Sequence, residues 1–204
     1  MTSAADSRPT PKGEQTRTAI LAAAIDRFGR DGYRATSVAD IARDAGVGGT
    51  VAYAYFPNKE ALFIAAVDED AAAVIREGST TLQTGSSMED WRRGLLFTLV
   101  AAVDQHPLAR RLLAGLEPDV TGRVLDVPAL ADMRKAVAER LRGEQLDGSV
   151  RPDIDAAEMA NGIVAIVLSL LMSVVQIGPD EAFPYATAVT AVFEAALQAP
   201  TAHE

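Results

Sequence analysis

Residues 19–63 read AILAAAIDRFGRDGYRATSVADIARDAGVGGTVAYAYFPNKEALF, and this stretch decides the fold. In its first part, apolar side chains recur every three or four positions, which predicts an amphipathic helix over 12–31. Gly32 follows, at a position where a left-handed residue commonly ends a helix. The hydroxyl of Ser37 can accept from the backbone N–H three residues on, and Asp40 holds the answering position of a capping box. A second helix is therefore predicted to start there.

A third short helix follows the second after a tight turn. Gly46 ends the second helix, and Val47 is expected to pack beneath the turn. The third helix is predicted over 49–54, and Asn58 is a favourable N-cap for a long fourth helix over 59–77. Two short helices joined by a Gly-containing turn and braced by a longer helix form a helix-turn-helix, whose second helix can enter the DNA major groove. The spacing alone fits an ordinary helical hairpin equally well.

The residue types favour the helix-turn-helix, because the segment resembles the N-terminal domain of the TetR (tetracycline-repressor) family. The matching motifs are Phe28-Gly32-Tyr33, Thr36-Ser37, Ile41-Ala42, Ala45-Gly46-Val47, Tyr53-Ala54-Tyr55-Phe56 and Lys59-Glu60-Ala61-Leu62. The resemblance covers the first part of the chain. The remainder is similar to the family only in being helical and of suitable length.

The resemblance implies which residues contact DNA. Hydroxyls and backbone N–H groups at the start of the second helix would bind phosphate, the third helix would read the groove, and a lysine at the start of the fourth helix would contact the backbone. The residues assigned to DNA binding are Thr36, Ser37, Gly48, Gly49, Thr50, Val51, Tyr53, Tyr55 and Lys59. Two other interpretations stay open, since Tyr53 also fits a packed aromatic and Lys59 a solvated surface lysine.

The third helix departs from the family pattern. Gly48 and Gly49 stand where the family often carries polar or basic side chains, and Val51 stands where it often carries threonine. Thr50 is then the only side chain before Tyr53 that can hydrogen-bond to a base edge. Either the backbone approaches DNA closely, with Val51 against a thymine methyl group, or phosphate contacts and DNA shape supply more of the discrimination.

The distribution of charge keeps a DNA partner possible despite a net charge of −9. Residues 1–60 carry eight Lys or Arg and seven Asp or Glu, a net charge of +1, whereas the remaining residues carry eleven and twenty-one, a net charge of −10. The N-terminal part can therefore present a basic face. A sequence-tolerant DNA binder is not expected, because counterion release scales with the number of phosphates neutralised.

The residue inventory argues against catalysis. The chain has no cysteine, which excludes disulfides, thiolate zinc sites and a cysteine nucleophile, and fits a reducing cytoplasm. His106 and His203 are its only histidines. No Gly-rich phosphate loop, G-x-S-x-G or H-E-x-x-H motif occurs. We therefore expect a cytoplasmic protein that is not an enzyme and that uses no metal and no cofactor.

The rest of the chain is also predicted to be helical, which gives an all-α fold. The stretch 117–128 contains two prolines and is expected to be irregular. Further helices are predicted over 88–105, with Ser87 and Asp90 as a capping pair, from Pro107, over 129–143, from Asp153 or Asp155 to Gln176, and from Asp180 to about 198. The predicted domains are a flexible arm at 1–11, an N-terminal three-helix helix-turn-helix domain at 12–58, and a larger helical ligand-binding and dimerisation domain at 59–204.

One helix of the larger domain is apolar around nearly its whole circumference. The apolar run 162–178 falls short of the roughly 20 residues that span a bilayer, and it lacks flanking lysine or arginine, so a buried helix is expected rather than a membrane span. A second subunit would cover what its own chain leaves exposed, although a fully internal helix in a monomer is the alternative. The expected dimer-interface residues are Ala165, Leu168, Met172, Val189, Phe193 and Leu197.

A ligand chamber in the larger domain is implied by the resemblance. Its candidate lining residues are Trp91, Phe97, His106, Leu113, Met133 and Met159. Plain core packing explains such residues equally well, because large apolar side chains usually pack. An apolar lining would favour an apolar or amphipathic small-molecule effector.

The sequence thus predicts a homodimeric, ligand-responsive transcriptional regulator, acting as a repressor that a small molecule releases from a palindromic operator. The alternative is a helical dimeric adaptor without sequence-specific DNA binding, which the two glycines of the third helix keep open.

Overall fold

The computed structural model describes residues 11–84, 88–121 and 127–198, and every regular element in these ranges is a helix. The prediction of an all-α fold is confirmed. The chain forms two compact units, Met1–Glu69 and Asp70–Glu204. The helices are α1 (Pro11–Ala35), α2 (Val38–Asp44), α3 (Gly49–Tyr55), α4 (Lys59–Thr84), α5 (Met88–Val103), α6 (Pro107–Leu113), α7 (Pro118–Thr121), α8 (Pro128–Leu146), α9 (Ala156–Ile177) and α10 (Pro179–Leu197).

The first unit is built on the buried face of α1. This face contributes Ile20, Leu21, Ala24 and Phe28 to the core. The ring of Phe28 meets the ring of Phe63 edge to face, with 4.9 Å between centroids, an arrangement that adds to the stabilisation from burial. At Gly32 the backbone turns to φ 81°, as the sequence predicts, and helical structure then resumes as far as Ala35.

The caps of the short helices form as predicted. Ser37 Oγ accepts from the backbone N–H of Asp40 at 3.1 Å, and Asn58 Oδ1 accepts from the backbone N–H of Ala61 at 2.7 Å. Gly46, between α2 and α3, has a φ of 68°, which an L side chain rarely adopts. Helix α3 runs to Tyr55, slightly further than expected, so that Tyr55 belongs to the helix rather than to its break.

The second unit differs from the prediction in two places. Helix α4 continues to Thr84 rather than 77, because no glycine or proline with non-helical geometry interrupts it. The stretch expected to be irregular contains the single turn α7, which starts at Pro118, where a proline at the first helical position costs nothing. The capping role predicted for Ser87 lies outside the described residues.

The core of the second unit is organised around α9. Asp155 caps this helix by accepting from the backbone N–H groups of Ala157 and Glu158, and these bonds hold the pKa of the Asp155 carboxyl below its ordinary value. The helix packs against α5, α6, α8 and α10. Its buried residues are Ala156, Ala160, Ile163, Val164, Val167, Leu171 and Val174.

Helix α9 begins and ends close to its predicted bounds, Asp153 or Asp155 to Gln176. Within the described residues it is one helix that could span a bilayer by length and composition, with 22 residues and 39% of its most apolar window buried. The apolar run 162–178 lies mostly within this longer helix, so α9 meets the length criterion that the run alone misses. Its packing against four other helices identifies it as the central helix of this unit's core.

Candidate nucleic-acid interface

Helix α3 is anchored on one face and open on the other. Ala52 is fully buried, and Phe56, which follows the helix, is 4% exposed. On the opposite face Thr50 is exposed, Val51 is 40% exposed and Tyr53 is 52% exposed. Because Tyr53 carries a hydroxyl at the end of a rigid aromatic ring, this face offers a phosphate donor beside an apolar contact for a base.

The two glycines at the start of α3 are not required by the packing of the chain. A Cβ placed on Gly49 would meet nothing within 4 Å, and one on Gly48 would meet only Val51 Cγ2, at 3.9 Å. Gly48 has a φ of −70°, which any residue adopts. Both positions therefore accept a side chain as far as the fold is concerned, and they leave the start of α3 with a bare backbone surface.

The start of α2 offers one of its two hydroxyls to solvent. Ser37 is exposed, and its Oγ also donates to Asp40 Oδ2 at 2.7 Å. Thr36 is only 3% exposed, and its Oγ1 donates to the backbone carbonyl of Gly32 at 2.8 Å. The placement of Thr36 therefore corrects its assignment to phosphate binding, because the hydroxyl is turned inward to secure the end of α1.

Lys59 is held against α1 rather than extended into solvent. Its Nζ lies 4.4 Å from the centroid of the Tyr33 ring and 3.4 Å from the backbone carbonyl oxygen of Arg34. The ring face and the carbonyl both attract the ammonium group. The side chain is half-buried, and so is that of Tyr55.

Two basic residues near α2 have different environments, and the sequence analysis assigned a role to neither. Arg27 Nε binds Asp44 Oδ2 at 2.6 Å; this hydrogen bond raises the pKa of the Arg27 guanidinium and lowers the pKa of the Asp44 carboxyl. The Arg43 side chain is 69% exposed and donates to Asp40 Oδ1 at 2.5 Å. The pKa of Asp40 is lowered by its hydrogen bonds with Ser37 and then Arg43. Arg43 is thus an exposed cation on the surface of α2.

The candidate ligand residues of the second unit do not share one environment. Trp91, Leu113 and Met133 belong to the buried core, and Met159 is packed against it. Phe97 is 51% exposed. These positions correct the expectation of a single lining, because Phe97 faces outward.

A buried polar group accompanies Trp91, and the apolar pattern of the sequence gave no sign of it. Glu144 is 5% exposed, and its Oε1 accepts from Trp91 Nε1 at 2.8 Å and from Arg140 Nε at 2.9 Å. The indole N–H of a buried tryptophan needs such an acceptor. The register of Arg140 and Glu144, four residues apart on α8, is the signal that could have suggested the pair.

The candidate dimer residues divide by exposure. Ala165 is exposed, and Leu168, Met172 and Val189 are half-buried. Phe193 is 8% exposed and Leu197 is fully buried, so both belong to the core of their own chain. Their assignment to a dimer interface is corrected, because α10 turns these side chains toward α9. Among the side chains of α9 and α10 that the structure describes, the large apolar ones left exposed are Ile166, Ile177, Tyr185 and Val192.

Comparison with known proteins relates this arrangement to bacterial regulators. The family model of bacterial regulatory proteins of the tetR family matches residues 20–66. The chain is 25% identical over 166 residues to the HTH-type transcriptional regulator YdgC of Bacillus subtilis, across 79% of this chain and 82% of YdgC. It is 49% identical over 49 residues to the HTH-type transcriptional regulator RutR of Escherichia coli, across 24% of this chain and 23% of RutR.

A solved structure extends the likeness to the fold of the chain. A TetR-family transcriptional regulator from Cytophaga hutchinsonii matches with a TM-score of 0.75 and 19% identity, covering 95% of this chain and 100% of that one. At this level of identity the likeness concerns the fold.

Proposed function

This chain is a transcriptional regulator of the TetR family, and we propose that it is a homodimeric repressor that a small molecule releases from a palindromic operator. The observation that carries the proposal is the open face of α3, where Thr50, Val51 and Tyr53 are exposed while Ala52 anchors the helix. A short helix with one buried face and one bare face is the form that enters a major groove.

We assign direct readout to the exposed side chains of α3. Val51 fits the methyl group of a thymine, and Thr50 can donate to or accept from a base edge. Gly48 and Gly49 allow the backbone to approach the DNA, because no Cβ stands between them and the surface. Because α3 carries few hydrogen-bond donors, we expect contacts with thymine methyl groups to supply much of the base recognition.

Phosphate contacts fix the position of α3 in the groove. The candidates are Ser37, Tyr53, Tyr55 and Lys59, joined by Arg43. Arg43 can exchange the Asp40 carboxylate for a phosphate. The hydrogen bond between the two side chains is exposed to water, where an ion pair contributes little. Lys59 can do the same only by leaving the Tyr33 ring, so we expect it to contribute less.

Dimerisation is proposed through α9 and α10. The exposed side of α9 is made of small and apolar groups, including Gly162, Ala165 and Ile166. Ser169 Oγ donates to the carbonyl of Ala165, and Ser173 Oγ donates to that of Ser169, so both hydroxyls are satisfied within the helix. A surface of this kind suits a close approach by a second copy, with Leu168, Met172, Val189 and Val192 at its margins.

An effector would act on the second unit by population shift. A small molecule changes DNA affinity only through its different affinities for the DNA-competent and the DNA-incompetent conformations. The largely apolar core around Trp91, Leu113, Met133 and Met159 favours an apolar or amphipathic effector. Because a repressor must reach its operator, we propose that the protein works in the cytoplasm.

Selection of DNA sequences from a random pool by the purified protein tests the proposal. A palindromic winner is expected, with half-site centres about 34–36 Å apart along the duplex. The affinity for this sequence should fall as the salt concentration rises, because binding releases counterions from the contacted phosphates. If folded, dimeric protein enriches no sequence at low salt, the helical-adaptor alternative replaces the repressor.

A further inference from the structure

A buried carboxylate in the second unit has no role in DNA binding. Asp70 of α4 is 3% exposed. Its Oδ2 accepts from the backbone N–H of Leu108 at 3.0 Å and from that of Ala109 at 2.8 Å. These are the first amide donors of α6, because Pro107 has no N–H and His106 provides no side-chain cap. Asp70 therefore caps α6 from a different helix.

His106 connects the same carboxylate to a second one. Its Nδ1 lies 2.7 Å from Asp70 Oδ1, and its Nε2 lies 3.3 Å from Glu77 Oε1. The imidazole is 15% exposed. Asp70 and Glu77 are seven residues apart, which is two turns of α4, so both carboxylates project from one face of that helix. Each ring nitrogen of His106 thus faces an acceptor.

Only the protonated imidazole can satisfy both contacts. A carboxylate accepts but does not donate, and a neutral imidazole has a single N–H, so one ring nitrogen would then present its lone pair to a carboxylate oxygen. The Glu77 side chain is 53% exposed and can turn into water, whereas Asp70 is held by two backbone N–H groups. The contact that a neutral ring loses is therefore the one with Glu77.

We propose that His106 is a proton-operated clasp, which in its protonated form binds Asp70 and Glu77 together and fastens the start of α6 to α4. The neutral form keeps only one of the two contacts and holds α6 more loosely. On the adjoining turn the charged side chains of Asp104 and Arg110 face each other, with Arg110 Nε 3.4 Å from Asp104 Oδ1. The proposal concerns the second unit alone and does not depend on DNA binding.

The electrostatic environment agrees with this geometry. Burial lowers the pKa of His106, but the hydrogen bonds to Asp70 and Glu77 and the charges of both carboxylates together raise the pKa above its ordinary value. A raised folded-state pKa gives a stabilisation that is fully present below the unfolded-state pKa of about 6.5. This stabilisation is lost as the pH rises through the folded-state pKa. The clasp therefore tightens in weakly acidic solution.

Histidine NMR provides the direct test, because the chain has only two histidines. His203→Gln assigns the two imidazole signals. We expect the His106 signal to titrate at higher pH in the folded protein than in the same protein unfolded in urea. Glu77→Gln should shift the folded midpoint downward. A folded midpoint at or below the unfolded one, or one that Glu77→Gln leaves in place, would overturn the proposal.

Thermal unfolding gives an independent readout. His106→Asn keeps a neutral donor near Asp70 but cannot be protonated. The difference in Tm between the wild type and this variant should be larger at pH 5.5 than at pH 8.5. A difference that stays constant over this range would mean that His106 serves packing only, and the clasp would be rejected. If His106→Asn does not fold, Glu77→Gln replaces it, since Glu77 is exposed and not part of the core.

Discussion

At the residue scale, the glycines of the helix-turn-helix fall into two kinds. Gly46 has a positive φ, so the turn between α2 and α3 needs it. Gly49 has no such conformation, and a Cβ there would meet nothing within 4 Å. A side chain at Gly49 is therefore acceptable to the fold, and any cost of adding one must come from the DNA.

Gly49→Ala is predicted to stabilise the protein and weaken operator binding. Alanine in a helix is favoured over glycine by up to about 1 kcal/mol, so Tm should rise. The added methyl group would hold the backbone of α3 away from the duplex. Gly143→Ala in α8 is the matched control, because a Cβ there also meets nothing within 4 Å, and it should raise Tm without changing DNA affinity. Equal DNA affinity for both variants would contradict close backbone approach.

The residues that the sequence placed well are those whose role is set by their immediate neighbours. Ser37, Gly46 and Asn58 act within a few positions of themselves, and their caps and turn form as predicted. The inward hydroxyl of Thr36 and the position of Lys59 were not predicted, because their partners, the Gly32 carbonyl and the Tyr33 ring, depend on how the chain folds back around α1. Side-chain direction at such positions follows from tertiary contacts that a motif does not specify.

At the scale of the elements, α4 and α5 meet in a tight local contact at Gly78. A Cβ on Gly78 of α4 would overlap the Leu99 side chain of α5, lying 2.7 Å from its Cγ and closer still to its Cδ2. Leu99 is 3% exposed and cannot move into solvent. Gly78 is therefore required by packing and not by backbone conformation, since its φ is not positive.

Gly78→Ala is predicted to destabilise the protein by roughly 1–3 kcal/mol, the usual cost of overpacking, despite the better helix propensity of alanine. Urea unfolding measures the change. Gly143→Ala again serves as control, because the same substitution at an open helical position should stabilise. If both substitutions raise stability, the close approach of α4 and α5 is not a constraint on the fold.

The presence of a helix could be predicted from the sequence more reliably than the residue at which it ends. The period of the apolar residues identifies α1 and α2, and the Asp155 cap marks the start of α9, whereas no local signal marks the end of α4 at Thr84. The spacing of Arg140 and Glu144 suggests their ion pair, but the contact with Trp91 was hidden because it joins residues 53 positions apart. The His106 cluster was hidden because its members are far apart in sequence.

At the scale of the whole molecule, the proposed assembly depends on the exposed apolar side chains of α9 and α10. Val192 is 62% exposed and Ile166 is 37% exposed. Leaving such large apolar side chains in water costs about 25 cal/mol per Å² of apolar surface. A second copy of the chain would cover them.

Val192→Glu is predicted to shift the dimer toward monomer, because it would bury an unpaired charge at the interface. Sedimentation equilibrium measures the association. Leu146→Glu is the control, since Leu146 is 91% exposed at the end of α8, and it should leave the association unchanged. If both variants remain dimeric, the interface lies elsewhere on the second unit.

The central claim, that the open face of α3 binds the operator, is tested most directly by the affinity of Tyr53→Ala for the selected DNA. We expect a loss of about tenfold or more, the cost of a phosphate hydrogen bond and its aromatic support, with Tm unchanged because the Tyr53 side chain is half exposed. Tyr53→Phe should lose only the hydrogen bond, so its DNA affinity should lie between those of the wild type and Tyr53→Ala. Leu146→Ala should bind as the wild type does. Wild-type affinity for Tyr53→Ala would contradict the account.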